Sequence, residues 1–421
     1  MDAGDLVELD IVDVAHGGVF VARLDGRVVF VSDTLPGERV RARLTDTRKK
    51  SFWRAETVDV IDAAPERQSH VWAAADVAVA PEDRPGGAEF GHIVLARQRE
   101  LKLAVLRDAL ARIGRVEAAA GIEPALADGE QRETEDGTRW RTRVSLHVDD
   151  EGRVGPYAAR SHRVIEVPDL PLATGAVAQA AARLGRQAPG RVDLAQPADG
   201  RVRVLSRPDG ARGGTAGETV RERVGGREFH VDVDGFWQVH RLAAHTLTSV
   251  VAGELRAAFP DLPVDPDAAH LDLYGGVGLF AAALGELGGP ATRVTSVESS
   301  PRATEHAGEN LAEWVGARAV TARVDRYLAQ LEADASARER ARLSAGTVLL
   351  DPPRAGAGGE VVERIAALRP RSVVYVACDP VALARDLGTF AGLGYRALRP
   401  VRALDLFPHS HHVEAVAVLG R

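Results

Sequence analysis

Cys378 is the only cysteine in a chain of 421 residues, and it sits within "SVVYVACDPVALARDL" (372–387). The run of β-formers before it reads as a buried strand, and Asp379-Pro380 stops that strand, so the thiol is predicted at its carboxyl end. Glu414 opens the final apolar run in "HSHHVEAVAVL" (409–419). That run follows "YRALRPVRALDLFP" after a short connection, which implies antiparallel pairing because a parallel crossover needs about a dozen residues or more. The start of an antiparallel last strand lies at the same sheet edge as the ends of the parallel strands. A thiol and a carboxylate far apart in the chain are thus predicted to converge on one pocket.

Such a pair suits one chemical task. Addition of a thiolate to C6 of a pyrimidine makes C5 nucleophilic enough to take a methyl group. A carboxylate held in a partly desolvated pocket can then remove the C5 proton, and the thiol is expelled. The thiol needs nearby positive charge to ionise, for which Arg354 is the candidate; Asp379 opposes ionisation unless its side chain turns away. Taken singly, Cys378 also fits a small buried hydrophobe and Glu414 an ordinary strand acid.

A cofactor end lies upstream. "DLYGGVGLFA" (272–281) places Gly275, Gly276 and Gly278 between a strand and a helix, where a ligand can approach the backbone. Gly276-x-Gly278-x-x-Ala281 also fits a dinucleotide fingerprint, and Glu298 ends the next strand where a ribose-binding acid belongs. These residues point to a nucleoside-containing cofactor without separating NAD from S-adenosylmethionine. "LLDPPRAG" (349–356) favours the second, because Asp351-Pro352-Pro353 at a strand end is typical of methyltransferases that act on bases. The antiparallel last strand favours a methyltransferase sheet over a dehydrogenase as well.

The elements that must position these residues fall into three stretches. Residues 1–62 alternate in short strands separated by Gly17-Gly18, Asp25-Gly26 and Pro36-Gly37, the spacing of a small OB-like β-barrel. Residues 63–234 read as a central α+β domain, with a helix over 93–114 and a second in "LATGAVAQAAARLG". Arg139, Arg141 and Arg143 alternate there, which predicts one strand with all three on the same face. Residues 235–421 alternate strands and helices as a doubly wound, Rossmann-like α/β sheet.

Composition narrows the class. No run of 18 apolar residues suggests a membrane span, and the acidic start "MDAGDLVELD" lacks a secretory signal, so a cytoplasmic protein is expected. A single cysteine excludes a disulfide framework and any site needing several thiolates. The net charge of −7 argues against indiscriminate coating of nucleic acid. Charge is segregated, however: residues 39–54 hold Arg39, Arg41, Arg43, Arg48, Lys49, Lys50 and Arg54 against Asp46 alone, giving the barrel an expected cationic edge.

Over nearly its whole length the chain resembles the RNA uracil-C5 methyltransferase family. Residues 5–62 look like that family's RNA-binding TRAM barrel. "DGFWQVH" (234–240), "DLYGGVG", "VESSP", "LLDPPRAG", "VYVACDP" and "HSHHVEAVAVL" follow its motifs in order. The resemblance implies a class I methyltransferase sheet, Cys378 as nucleophile and Glu414 as proton-abstracting base. It also implies S-adenosylmethionine contacts from Gln238, Tyr274, Glu298, Asp325 and Asp351, alongside Gly276 and Gly278 of the glycine turn, with no metal. The implied partner is a transfer or ribosomal RNA, with no membrane and no obligate protein partner.

Departures from the family pattern are equally specific. Where many members hold an iron–sulfur centre through cysteines, this chain has Pro85-Gly86-Gly87-Ala88, so no cluster is expected. Leu279 and His240 stand where the family often has Asn. Cytosine-C5 methylation of RNA remains an alternative, although such enzymes generally use two cysteines. Adenine-N6 methylation would want an aromatic residue where Arg354 stands. An NAD-dependent oxidoreductase lacks a hydride-transfer site here, and a non-catalytic RNA-binding or RNA-folding module would have no use for Cys378 and Glu414.

Overall fold

The computed structural model describes residues 1–210 and 217–421. At the amino-terminal end, β1 (Leu6–Ala15), β2 (Val19–Leu24), β3 (Arg27–Ser32), β4 (Arg39–Asp46) and β5 (Phe52–Asp62) close into a barrel of order β1-β2-β3-β5-β4. The period of two is visible in its core, where Val7, Leu9 and Ile11 of β1 meet Val40, Ala42 and Leu44 of β4. The alternate residues of β4 face outward, and they are not free. Arg39 pairs with Glu8, Arg41 with Asp59, and Arg43 with both Glu56 and Glu82. Arg48 pairs with Asp46. Four of the seven cations of the expected edge are therefore matched by acids, leaving Lys49, Lys50 and Arg54, with Lys49 and Arg54 over Phe52; Arg27 of β3 lies over Trp53 nearby.

The middle of the chain does not form one closed unit. The predicted 93–114 helix is α1 (Leu95–Ala109), continued by a π-helical turn over Leu110–Gly114. Next, β6 (Ala120–Pro124) leaves for the carboxyl-terminal sheet. A separate four-stranded sheet, of order β10-β9-β7-β8, comprises β7 (Arg143–Val148), β8 (Val154–Gly155), β9 (Gly190–Ala195) and β10 (Arg203–Pro208). The helix α2 (Gly175–Ala182) is capped by Thr174, which accepts from Val177 N–H. A hairpin of β11 (Thr219–Val224) and β12 (Arg227–Asp232) follows.

The three arginines expected on one strand face are separated by the fold. Arg139 has φ +58°, a left-handed conformation that interrupts any strand, and β7 begins only at Arg143. Arg139 pairs with Asp169, whereas Arg143 is tied to Glu222 and to the carbonyls of Val233 and Gly235. Only Arg141 of the three reaches the main cavity.

The carboxyl-terminal sheet has nine strands, eight of them in the order β15-β14-β13-β16-β17-β20-β19-β6. The helix α3 (Ala243–Ala258) precedes it; then come β13 (Ala269–Leu273), α4 (Leu279–Gly288), β14 (Arg293–Glu298), α5 (Pro301–Asn310) and β15 (Arg318–Thr321). Next are α6 (Val324–Asp334), α7 (Ala337–Ala345), β16 (Thr347–Leu350), α8 (Gly359–Leu368), β17 (Ser372–Ala377) and α9 (Pro380–Gly392). The chain ends with β18 (Arg396–Ala397), β19 (Val401–Asp405) and β20 (Glu414–Gly420). Every residue of β16 and β17 is buried, because helices cover both faces and the strands can be apolar throughout. Strands β13 to β17 are parallel, and β20 runs antiparallel to both β17 and β19, as the short connection required. Among the described residues, no helix is long and apolar enough to cross a membrane.

Candidate active site

The parallel strands all deliver their carboxyl ends to one side of the sheet, and a cavity of about 1290 Å³ opens there. Its wall includes Gln238, Tyr274, Gly276, Glu298, Asp325, Asp351, Cys378 and Glu414. Gly278 is not part of it. That glycine, with φ +90°, caps α4, and a Cβ there would press on Leu311 at 3.2 Å, so it shapes the turn from behind.

At the nucleoside end, Gly276 has φ +53° and open space where a side chain would be. This bare backbone is a cradle that any Cβ would fill. Beside it, Glu298 at the end of β14 accepts from Gly276 N–H (3.3 Å) and Ser300 N–H (2.7 Å). These bonds hold the carboxylate at the cavity wall, where a ribose diol could donate to it. Tyr274 has φ +62°, a conformation costly for a bulky residue and concentrated at ligand-binding turns. Asp325 stands at the start of α6, paired with Arg323 at 2.8 Å. Asp272 lies beneath the glycine turn, fully buried, accepting from Ala281 N–H while its second oxygen has no partner.

At the other end, register explains the meeting of Cys378 and Glu414. Ala377 of β17 pairs with Ala415 of β20, so the next step of the antiparallel ladder brings Cys378 opposite Glu414. Asp351, immediately after β16, comes from the neighbouring strand. Arg354 follows the two prolines and donates to His412 Nε2 at 3.3 Å. Glu89, Arg141, Phe407, Ser410 and His412 complete this end of the wall. Ser410 and His412 lie in the motif before Glu414 but carry no signal of their own in the sequence, and nothing in the types of residue around Glu89 marks it.

The electrostatics of this end favour protonated groups. Burial, then the carboxyls of Glu414 and Asp351, push the Cys378 thiol up to about 12, against the opposing pull of Arg354. Burial and Asp351 raise Glu414 well above the usual carboxylate range, again against Arg354. Burial and neighbouring Asp272 raise Asp351 to about 7. Arg354 thus acts on the thiol in the expected direction but is outweighed by desolvation and two acids. Asp379, the other expected influence, is turned aside to cap α9 and bond His16.

Comparisons with known proteins agree with this architecture. Residues 3–53 match the TRAM domain family, and residues 264–421 match the tRNA (Uracil-5-)-methyltransferase family. The chain is 37% identical to an uncharacterized RNA methyltransferase of Streptomyces avermitilis, covering 99% of this chain and 98% of that one. It is 31% identical to the 23S rRNA (uracil(1939)-C(5))-methyltransferase RlmD of Halomonas elongata, covering 98% and 89%. A solved structure of Pyrococcus abyssi tRNA (uracil-54, C5)-methyltransferase in complex with S-adenosyl-L-homocysteine shares the fold, with a TM-score of 0.68 at 21% identity over 98% of this chain and 99% of that one. With its barrel, its antiparallel-edged sheet and these relatives along its length, the chain belongs to the RNA uracil-C5 methyltransferase family.

Proposed function

We propose that this protein methylates C5 of a uridine in RNA, using S-adenosylmethionine, through a covalent bond between Cys378 Sγ and C6 of the base. The observation that carries the reading is the placement of Cys378 and Glu414 next to the last pair, Ala377–Ala415, of one antiparallel ladder, opening into the same cavity as the glycine turn and Glu298. The residues present fit the methyl donor: an uncovered Gly276 backbone, an acceptor carboxylate at Glu298, and Gln238, Tyr274, Asp325 and Asp351 around them. When bound, that cofactor supplies an electrophilic methyl group to C5.

The chain's own residues do the rest. Cys378 as thiolate forms the S–C6 bond, and the electron pair of the C5=C6 bond moves to C5 and the adjoining carbonyl. After C5 has gained its methyl group, the Glu414 carboxylate takes the C5 proton. The double bond then re-forms and the S–C6 bond breaks, returning the sulfur as thiolate. Arg354 favours the charged forms of both groups, which is the work a cation must do where burial opposes ionisation. The uridine must leave its stack to reach the recessed sulfur, and Phe407 and Arg141 in the wall offer it a surface.

Total RNA from cells lacking this gene, incubated with the protein and S-adenosylmethionine, should gain 5-methyluridine at one position by mass mapping. Gain of 5-methylcytidine instead would replace uridine by cytidine in this reading, and no gain of either would reject it.

A further inference from the structure

The turn between β1 and β2 of the barrel touches the loops that carry both proposed catalytic residues. His16 Nε2 lies 2.9 Å from Asp379 Oδ2, next in the chain to Cys378. Two residues on, Gly18 has φ +73° and lies flat against the 409–413 loop that leads into Glu414. A Cβ at Gly18 would lie 3.0 Å from His411 Nδ1, 3.1 Å from His411 Cβ and 3.2 Å from Glu89 Cβ. His411 in turn faces Glu89 at 3.3 Å and lies beside His412. Nothing in the packing of the barrel's own core asks for this turn, since His16 and Gly17 are exposed.

Asp379 is the reason the contact has consequences. A carboxylate one residue from a thiol that must ionise opposes that ionisation through space. Both of its oxygens are engaged by other groups: Oδ1 accepts from Ala382 N–H at 2.8 Å, capping α9, and Oδ2 meets His16. The acids that chiefly raise the thiol are instead Glu414 and Asp351. Hydrogen bonding to Asp379, against some desolvation, raises His16 above the usual imidazole value and so favours its charged form.

We propose that His16 is a positioning residue for catalysis, supplied by the barrel, which holds the Asp379 carboxylate away from the Cys378 thiol while the Gly18 backbone seats the loop before Glu414. The barrel then braces the active site from behind as well as contacting RNA, with none of its residues in the cavity wall. This inference rests on the proposed role of Cys378 as nucleophile.

The test exploits the single cysteine, because iodoacetamide alkylation of the whole protein reports on Cys378 alone and needs neither RNA nor methyl donor. At about pH 8, His16→Ala should slow alkylation by about threefold or more, since the carboxylate keeps only the α9 cap, loses the imidazole on Oδ2 and disfavours thiolate. His16→Gln, which keeps a donor, should recover most of the rate. Asp379→Asn should alkylate at least as fast as the unaltered protein, and adding His16→Ala to it should change nothing further, since Asn still caps α9 and carries no charge. In methyl transfer, His16→Ala should lower kcat and leave the KM for RNA unchanged. Alkylation of His16→Ala at the unaltered or a faster rate overturns the proposal, as does an equal effect in the Asp379→Asn background or a change confined to KM. Loss of methyl transfer in all proteins with the alkylation pattern intact would instead count against the proposed function alone.

Discussion

Cys378 and Glu414 lie one ladder step beyond the Ala377–Ala415 pair, on strands that run in opposite directions. Their proximity is therefore set by the register of β17 against β20, and a change of one partner should leave the other in place. Removing the thiol by Cys378→Ala should lower methyl transfer by roughly a thousandfold or more while RNA affinity stays within about twofold. Single-turnover transfer and filter binding on the same RNA check both halves.

Arg354 is the cation that opposes burial at both groups. Arg354→Gln should raise the thiol and the carboxyl further, so the rising limb of the pH–rate profile should move to higher pH. The sign follows because both groups react in their deprotonated forms and loss of the cation raises both. A profile unchanged in position would separate Arg354 from the titration.

Asp272 and Asp351 are each raised to about 7, chiefly by burial. A carboxyl whose folded value exceeds its unfolded value contributes stability that is complete below the unfolded value and lost as pH rises through the folded one. Asp272→Asn, which can still accept from Ala281 N–H, should raise Tm at about pH 8 and do so much less at about pH 4. Thermal melts across that range check it, and an equal gain at both ends would contradict it.

On the barrel, Arg39, Arg41, Arg43 and Arg48 are matched by acids, so charge reversal there disturbs the fold as well as any contact with RNA. Lys49 and Arg54, stacked on Phe52, make the cleaner test. Lys49→Glu with Arg54→Glu should weaken RNA binding and reduce the slope of log K against log salt by about two. An unchanged slope would take this face off the RNA.

Much of the site was legible because it depends on direction and period. A short connection before the last strand was enough to turn it antiparallel, and that alone carried Glu414 to the edge where Cys378 follows β17. What sequence could not show was depth and side-chain pairing. Arg139 to Arg143 alternate in type, yet a left-handed Arg139 breaks the strand and sends Arg143 to Glu222. The short "AGIEP" of β6 has no alternation to mark it as part of the distant sheet. The pull of Arg354 on the thiol was foreseeable, but not that burial and two acids outweigh it. Gly278 fits a ligand fingerprint by spacing, and its close approach to Leu311 at the start of α4 was not legible in it.

The covalent step is tested most directly with Glu414→Gln. The protein is incubated with S-adenosylmethionine and total RNA from cells lacking this gene, denatured, digested with nuclease and protease, and mapped by mass. The account predicts that the peptide containing Cys378 carries a C5-methylated uridine nucleotide, stranded because its C5 proton has no acceptor. A free Cys378 peptide beside accumulating 5-methyluridine would contradict it.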